Sequence, residues 1–180
     1  MAILNFGICQ YKEHEFDTPY FVEKGVNKIN GGIWACPQND YYTDWIAIAA
    51  FVAAFVSKNK KMCCSRIILK NDAKILMLTI VNYRDFSLEN GMLSLEKLKD
   101  FDCILFTKDL VENVKPFESY YVESYQILNL DCIADVEFIS LDLDYMKSDE
   151  YLIYAFKRTA EVMKHVMNTD IYKKFSANTF

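Results

Sequence analysis

The stretch Asn30-Gly31-Gly32-Ile33-Trp34-Ala35-Cys36-Pro37 decides how the rest of the chain is read. Two glycines open it, an apolar run follows, and a proline that cannot donate to a ladder closes it. A short strand over Ile33–Cys36 is expected. Asp40 to Asp44 then supply turn and N-cap chemistry, and Trp45, Ile48, Val52 and Phe55 recur at helical spacing. That pattern predicts a helix from Trp45 to about Ser57 with one face heavily buried.

Working outward, Ala2 to Ile8 has strand character, and the segment on to Asn30 mixes charges with Pro19 and Gly25 in an irregular excursion of the kind that often lines sites. From Cys63 the period changes. Arg66 to Lys70 and Lys74 to Ile80 are runs rich in branched residues separated by the turn signal Asn71-Asp72, which suits a hairpin or two sequential strands. Ser94 is placed to cap a short helix, Leu95 to Lys99, before a strand from Cys103 to Phe106; Val111 to Ser119, with Pro116, reads as a loop. Tyr121 to Leu128 and Ile133 to Leu143 are the next strands. Ser148 or Asp149 caps a last helix in which Leu152, Phe156, Met163 and Val166 share a face, expected to lie on a sheet. Strands and helices do not alternate regularly. The expected fold is therefore one α+β domain over residues 1–180, with a mixed, mainly antiparallel sheet and flanking helices.

Composition narrows the class further. Apolar residues make up 52% and aromatics 15%, with five glycines and three prolines, which excludes disordered and low-complexity classes. The net charge of −5, with Lys58, Lys60 and Lys61 as the one basic cluster, gives no phosphate-tracking surface, so nucleic acid is not an expected partner. The longest uncharged apolar run, Trp45 to Val56, is shorter than the ~20 residues a membrane-crossing helix needs, so no membrane partner is expected. No secretory signal is recognised, so the expectation is a cytoplasmic protein whose six cysteines are reduced. There is no CxxC pair, His14 and His165 lie far apart, and the acids Asp142, Asp144, Asp149 and Glu150 lack the glycine-centred spacing of a calcium loop; no metal is expected.

The chain contains no GxGxxG, P-loop, GxSxG or HExxH pattern. What stands out is Gly31-Gly32 close to Trp34, Tyr41, Tyr42 and Trp45. Paired glycines let a backbone approach something closely, and neighbouring aromatics offer flat faces. Two readings follow: an aromatic core corner beside a tight turn, or a cleft in which a ring stacks.

The string from Asn30 to Pro37, with Asp44-Trp45 after it, resembles the GGLW-x-S-P…W signature of a little-characterised family of bacterial and phage proteins. Later segments recur in the same order: Lys74 to Leu78, Phe101-Asp102-Cys103-Ile104, and Val122-Glu123-Ser124-Tyr125-Gln126-Ile127-Leu128-Asn129. Cys36 stands where that signature has Ser, and the initial strand offers no clear first-motif His or Arg. The family's layout is similar to that of ADP-ribosyltransferases. The resemblance implies an ADP-ribosyltransferase-like fold, NAD as a substrate, Glu123 as the catalytic carboxylate, and Trp34 to Cys36 as the strand beneath the nicotinamide. Gly32, Tyr42, Trp45 and His14 complete the cofactor-binding set that it suggests.

Plainer roles stand beside these. Alternation could turn Glu123 to solvent across from Val122; His14, between Glu13 and Glu15, suits a solvated surface; Cys36 suits an inert packing position. The expected activity is cleavage of the nicotinamide glycosidic bond with transfer of ADP-ribose to a protein or other macromolecule, or to water. The alternatives are a non-catalytic phage or mobile-element protein that engages a host protein, and a protein that sequesters a nucleotide.

Overall fold

A computed structural model describes residues 2–7, 20–21, 29–48, 63–89, 91–114, 117, 122–142 and 144–168. Seven strands form one sheet: β1 (Ala2–Gly7), β4 (Ile33–Pro37), β5 (Cys63–Leu69), β6 (Ile75–Leu78), β7 (Cys103–Phe106), β8 (Ser124–Ile127) and β9 (Ile133–Ile139). Two short strands, β2 (Tyr20–Phe21) and β3 (Ile29–Asn30), pair with each other in a second sheet. The large sheet runs in the order β6-β7-β8-β4-β1-β5-β9, and β6 with β7 is its one parallel pair. The described residues therefore form a mixed, mostly antiparallel α+β structure with few helices: α1 (residues 44–48), α2 (Leu95–Leu98), α3 (Lys108–Asn113) and α4 (Asp149–Asn168).

Alternation along β4 divides the core. Ile33 and Ala35 join Ile3, Ile67, Leu105 and Ile127 on one face, whereas Trp34 packs with Leu78, Ile104 and Phe106 on the other. Leu98 of α2 and Leu110 and Val111 of α3 close over the Trp34 side at the β6–β7 end. Further along that face, Ile46 and Ala47 of α1 pack with Cys64, and with Tyr151 and Ala155 of α4. The helices thus cover the sheet in two groups with a seam between them.

Several local expectations meet different outcomes. Of the two readings of the runs on either side of Asn71-Asp72, the sequential strands hold and the hairpin does not: β5 lies between β1 and β9, while β6 sits at the opposite edge of the sheet. Residues 111–113 belong to α3 and not to a loop. Glu123 stands one residue before β8 begins. The helix that starts at residue 44 is capped by Thr43, whose Oγ1 accepts the Ile46 N–H at 3.0 Å, and Ile46 and Ala47 are its buried residues while Trp45 and Ile48 are half-buried. Ser148 caps α4, its Oγ accepting the Tyr151 N–H at 3.3 Å. Residues 49–57 of the expected helix, the 58–61 basic cluster, and the side chain of Val166 lie outside what is described.

The largest correction concerns α4. Leu152, Phe156 and Met163 are 42%, 59% and 44% exposed, and the helix meets the protein through Tyr151, Ala155, Arg158, Thr159 and Val162 instead. No helix among the described residues is long and apolar enough to cross a membrane.

Candidate functional site

The seam between the two helical groups opens into a cleft of about 160 Å³ lined by Cys36, Pro37, Asn39, Asp44, Lys108 and Glu123. Strand pairing explains why residues so distant in sequence meet. Ala35 is registered against Tyr125, which brings the C-terminal end of β4 beside the residue that precedes β8. In turn β8 pairs with β7, and β7 leads through Thr107 into α3.

Each wall has its own support. The Glu123 carboxylate accepts the backbone N–H of Lys108 at 3.0 Å, so it satisfies one orphan donor in the first turn of α3 and sits at the positive end of that helix. This fixes one carboxylate oxygen of a residue that lines the cleft. Cys36 Sγ lies 4.0 Å from Ser124 Oγ, and Ser124 in turn donates to the Val122 carbonyl at 2.9 Å.

Asp44 is the most heavily bonded group. Its Oδ2 accepts Arg158 Nε at 2.8 Å, and its Oδ1 accepts the Tyr154 hydroxyl at 2.5 Å and Asn39 Nδ2 at 3.4 Å. Arg158 also donates to Glu161 at 2.7 Å. Burial works against the guanidinium's charge, but its bonds to Glu161 and Asp44 outweigh that and raise its pKa. Burial, followed by the bond to Asp44, likewise pushes the Tyr154 phenol up. The network ties α4 to the start of α1 and so fixes one side of the cleft.

The residues expected from sequence separate into two sets. Glu123 and Cys36 line the cleft. Gly32, Trp34, Tyr42 and Trp45 do not, and His14 lies outside the described residues. Gly31 and Gly32 both adopt positive φ, and a Cβ on Gly32 would collide with the Ile127 carbonyl oxygen, so the close approach that this glycine allows is to β8 and not to a ligand. Trp34 stacks on Phe106 with centroids 5.9 Å apart. Tyr42, at φ 70°, belongs to the aromatic cluster around Tyr151 and accepts the Asp142 N–H on its hydroxyl at 3.0 Å. Trp45 packs, half-buried, against Cys36, Val122 and Val162.

Asn39, Asp44, Lys108, Tyr154 and Arg158 were not expected as site residues. A signal did exist for some of them. Thr43 makes a sufficient N-cap by itself and leaves Asp44 for another task, while Tyr154 and Arg158 stand four apart, one helical turn, on the buried side of α4.

The Asp102 and Asn129 segments also have a structural explanation. Asp102 accepts the Lys74 N–H at 2.9 Å, which holds its carboxyl below the usual range, and Asn129 Nδ2 at 2.8 Å. Together they clasp the starts of β6 and β7 to the end of β8. No group of three His, Cys, Asp or Glu side chains able to hold a metal occurs among the described residues.

Cys36, Cys64, Cys103 and Cys132 are buried free thiols; Cys9 and the Cys63 side chain lie outside the description. Burial raises the pKa of all four, those of Cys64 and Cys132 to about 11. An unfolded chain ionises them at their ordinary value. For Cys64 and Cys132 the contribution to stability is therefore complete below that value and fades as the pH rises toward 11. Iodoacetamide at about pH 8.5 should modify these thiols roughly two orders of magnitude more slowly in folded than in denatured protein, as peptide mapping would record. Fast labelling of Cys36 in the folded state would contradict its inert role.

Neither a family model, nor a curated protein, nor a solved structure matches this chain.

Proposed function

We propose that the chain is an ADP-ribosyltransferase-like protein that uses NAD, breaking the nicotinamide–ribose bond at the Cys36–Asp44–Glu123 cleft and passing ADP-ribose to a macromolecule or to water. The observation that supports this reading is the meeting of Glu123 with the end of the Trp34–Cys36 strand in one cleft. These are the two segments that the family resemblance assigns to the reacting end of the substrate. As the bond breaks, the positive charge of the pyridinium ring passes to the ribose, and a preorganised carboxylate lowers the energy of that state. Glu123 is preorganised by the Lys108 N–H.

The cleft, at about 160 Å³, is smaller than the roughly 300–1,000 Å³ typical of pockets that enclose whole ligands, so on this reading it takes the nicotinamide ring, with the ribose at its mouth and the rest of the dinucleotide outside. Trp34 and Tyr42 supply no stacking face there, and the Asn39 amide already accepts the Tyr41 N–H and donates to Asp44 and Tyr154, which leaves charge to orient the ring. That same commitment of the aromatics to packing favours a second reading, a non-catalytic protein that engages a host factor.

Incubation with NAD, with release of nicotinamide followed by chromatography and binding by calorimetry, separates the possibilities. Release supports catalysis, binding without release marks a nucleotide-sequestering protein, and neither moves the assignment to the interaction protein.

A further inference from the structure

We propose that the tyrosine cluster where residues 39–44 meet the start of α4 is a docking surface for an arginine-bearing basic segment of another protein. Tyr41, Tyr42, Tyr145 and Tyr154 are all half-buried, so part of each ring reaches the surface. Tyr41 and Tyr154 stack with centroids 4.0 Å apart, and Tyr42 meets Tyr145 edge to face at 6.4 Å. Behind them Tyr151 is wholly buried, 5.4 Å from Tyr145 and 6.4 Å from Tyr41 and Tyr42. Its hydroxyl has no hydrogen-bond partner among the described residues. A buried hydroxyl without a partner is costly, and phenylalanine would fill the same space without that cost. The cluster is therefore not what packing alone would select, and departures of this kind gather at functional sites.

Charge selects the occupant. Of the charged side chains on residues 38–44 and 142–161, Arg158 is paired with Asp44 and Glu161, and Lys147 with Asp144. Arg66, which reaches Gln38, is paired with Glu137. What remains is Asp40, Asp142, Asp149 and Glu150 against Lys157 alone, all exposed. These acids border the rings: the Tyr41 hydroxyl donates to Glu150 at 3.4 Å, and burial, then the charge of Glu150, with Asp40 contributing less, raises the pKa of the Tyr145 phenol. A carboxylate rim around aromatic faces suits a cation, and arginine best, because its planar guanidinium stacks on a ring while its N–H groups pair carboxylates. The four acids are spread over a loop, a turn and a helix, so cations spaced along an extended chain fit them where one small ion does not, and nucleic acid is repelled. Tyrosine and arginine are also the side chains enriched at the centres of protein interfaces. Tyr154 bonds Asn39 and Asp44, so the surface adjoins the cleft. Docking needs no turnover, and the inference therefore stands apart from the reading of NAD use.

Fluorescence anisotropy of a labelled peptide of alternating arginine and serine, titrated with the full chain, provides the test. A dissociation constant of about 10–100 µM at low salt is expected, weakening as salt rises. The same peptide with lysine in place of arginine should bind about fivefold more weakly, because an ammonium has no plane to stack. Asp40→Lys and Glu150→Lys should each weaken binding about tenfold, whereas Glu96→Lys, on α2 in the other helical group, should change it less than about twofold. Tyr145→Leu should lose about tenfold and Tyr145→Phe almost nothing, since the ring and not the hydroxyl makes the contact; circular dichroism checks that both variants fold. A wild-type chain that binds neither peptide below about 1 mM overturns the proposal. So does an equal loss with Glu96→Lys, which would mark a diffuse charge effect, a lysine peptide that binds as tightly as the arginine one, or full binding by folded Tyr145→Leu. Should Tyr145→Leu fail to fold, the contrast of Asp40→Lys with Glu96→Lys decides the matter alone.

Discussion

Glu123→Gln is expected to slow nicotinamide release from saturating NAD by about 10²–10³, or roughly 2.7–4 kcal/mol of transition-state stabilisation, while leaving NAD binding nearly unchanged. The substitution isolates charge. Gln keeps the length of the side chain, and its amide oxygen can still accept the Lys108 N–H that the carboxylate accepts at 3.0 Å, so the first turn of α3 stays satisfied. What is lost is the negative charge that, on the proposed reading, stands opposite a ribose that becomes cationic only as the bond breaks. The ground state should therefore change much less than the transition state. Melting of the two proteins is the control: the stability change should stay within about 0.5 kcal/mol. Equal turnover by wild type and mutant would restrict Glu123 to its role as a helix cap. A mutant that also melts early would show that the cap contributes more than one hydrogen bond between a side chain and an exposed helix end usually does.

The sequence signals that proved reliable are those whose cause is local. Gly31-Gly32 before an apolar run and Pro37 after it mark β4 because positive φ and a missing N–H are properties of single residues. Ser148 announces α4 for the same kind of reason. The failures arise where the cause is distant. Asn71-Asp72 between two branched runs leaves a hairpin and two sequential strands both open, because which strands pair depends on the whole sheet, and β9 and β7 compete successfully for β5 and β6. A six-residue helix such as α3, with Leu110 and Val111 adjacent and no cap from the side chain of Thr107, is too short to establish a period.

The face of α4 was misjudged because hydrophobicity ranks Leu152, Phe156 and Met163 above Tyr151, Ala155 and Thr159, whereas the surface the helix meets offers tyrosines and the Asp44 carboxylate. The candidate site was legible only in part for the same reason. Glu123 and Cys36 stand in the segments that carry the resemblance, but Asp44 acquires its bonds from α4, more than a hundred residues away in sequence.

Arg158→Met is expected to destabilise the fold by about 3 kcal/mol, the low end of the range for removing one member of a buried ion pair. The side chain of Arg158 is 9% exposed and that of Asp44 27%, so this pair is shielded on the arginine side and partly wetted on the aspartate side, which is why the low end applies. Methionine occupies similar space and preserves packing against α1, so the loss reports the missing charge and donors more than a cavity. Asp44 would keep the Tyr154 hydroxyl and Asn39, but its Oδ2 would lose its 2.8 Å partner in a setting where water only partly replaces it. For a chain of this length the corresponding drop in melting temperature is about 6–12 °C. A double-mutant cycle separates the pair from its parts: Asp44→Asn combined with Arg158→Met should recover a good share of the loss, because no unpaired charge then remains. Glu161 is 64% exposed, so Glu161→Gln should change stability by under about 1 kcal/mol even though it also bonds Arg158. If Arg158→Met melts like the wild type, the Asp44–Arg158 bond does not hold α4 to the start of α1. The wall of the cleft would then depend on the bond from Tyr154 to Asp44 and on the apolar contacts among Ile46, Ala47, Tyr151 and Ala155.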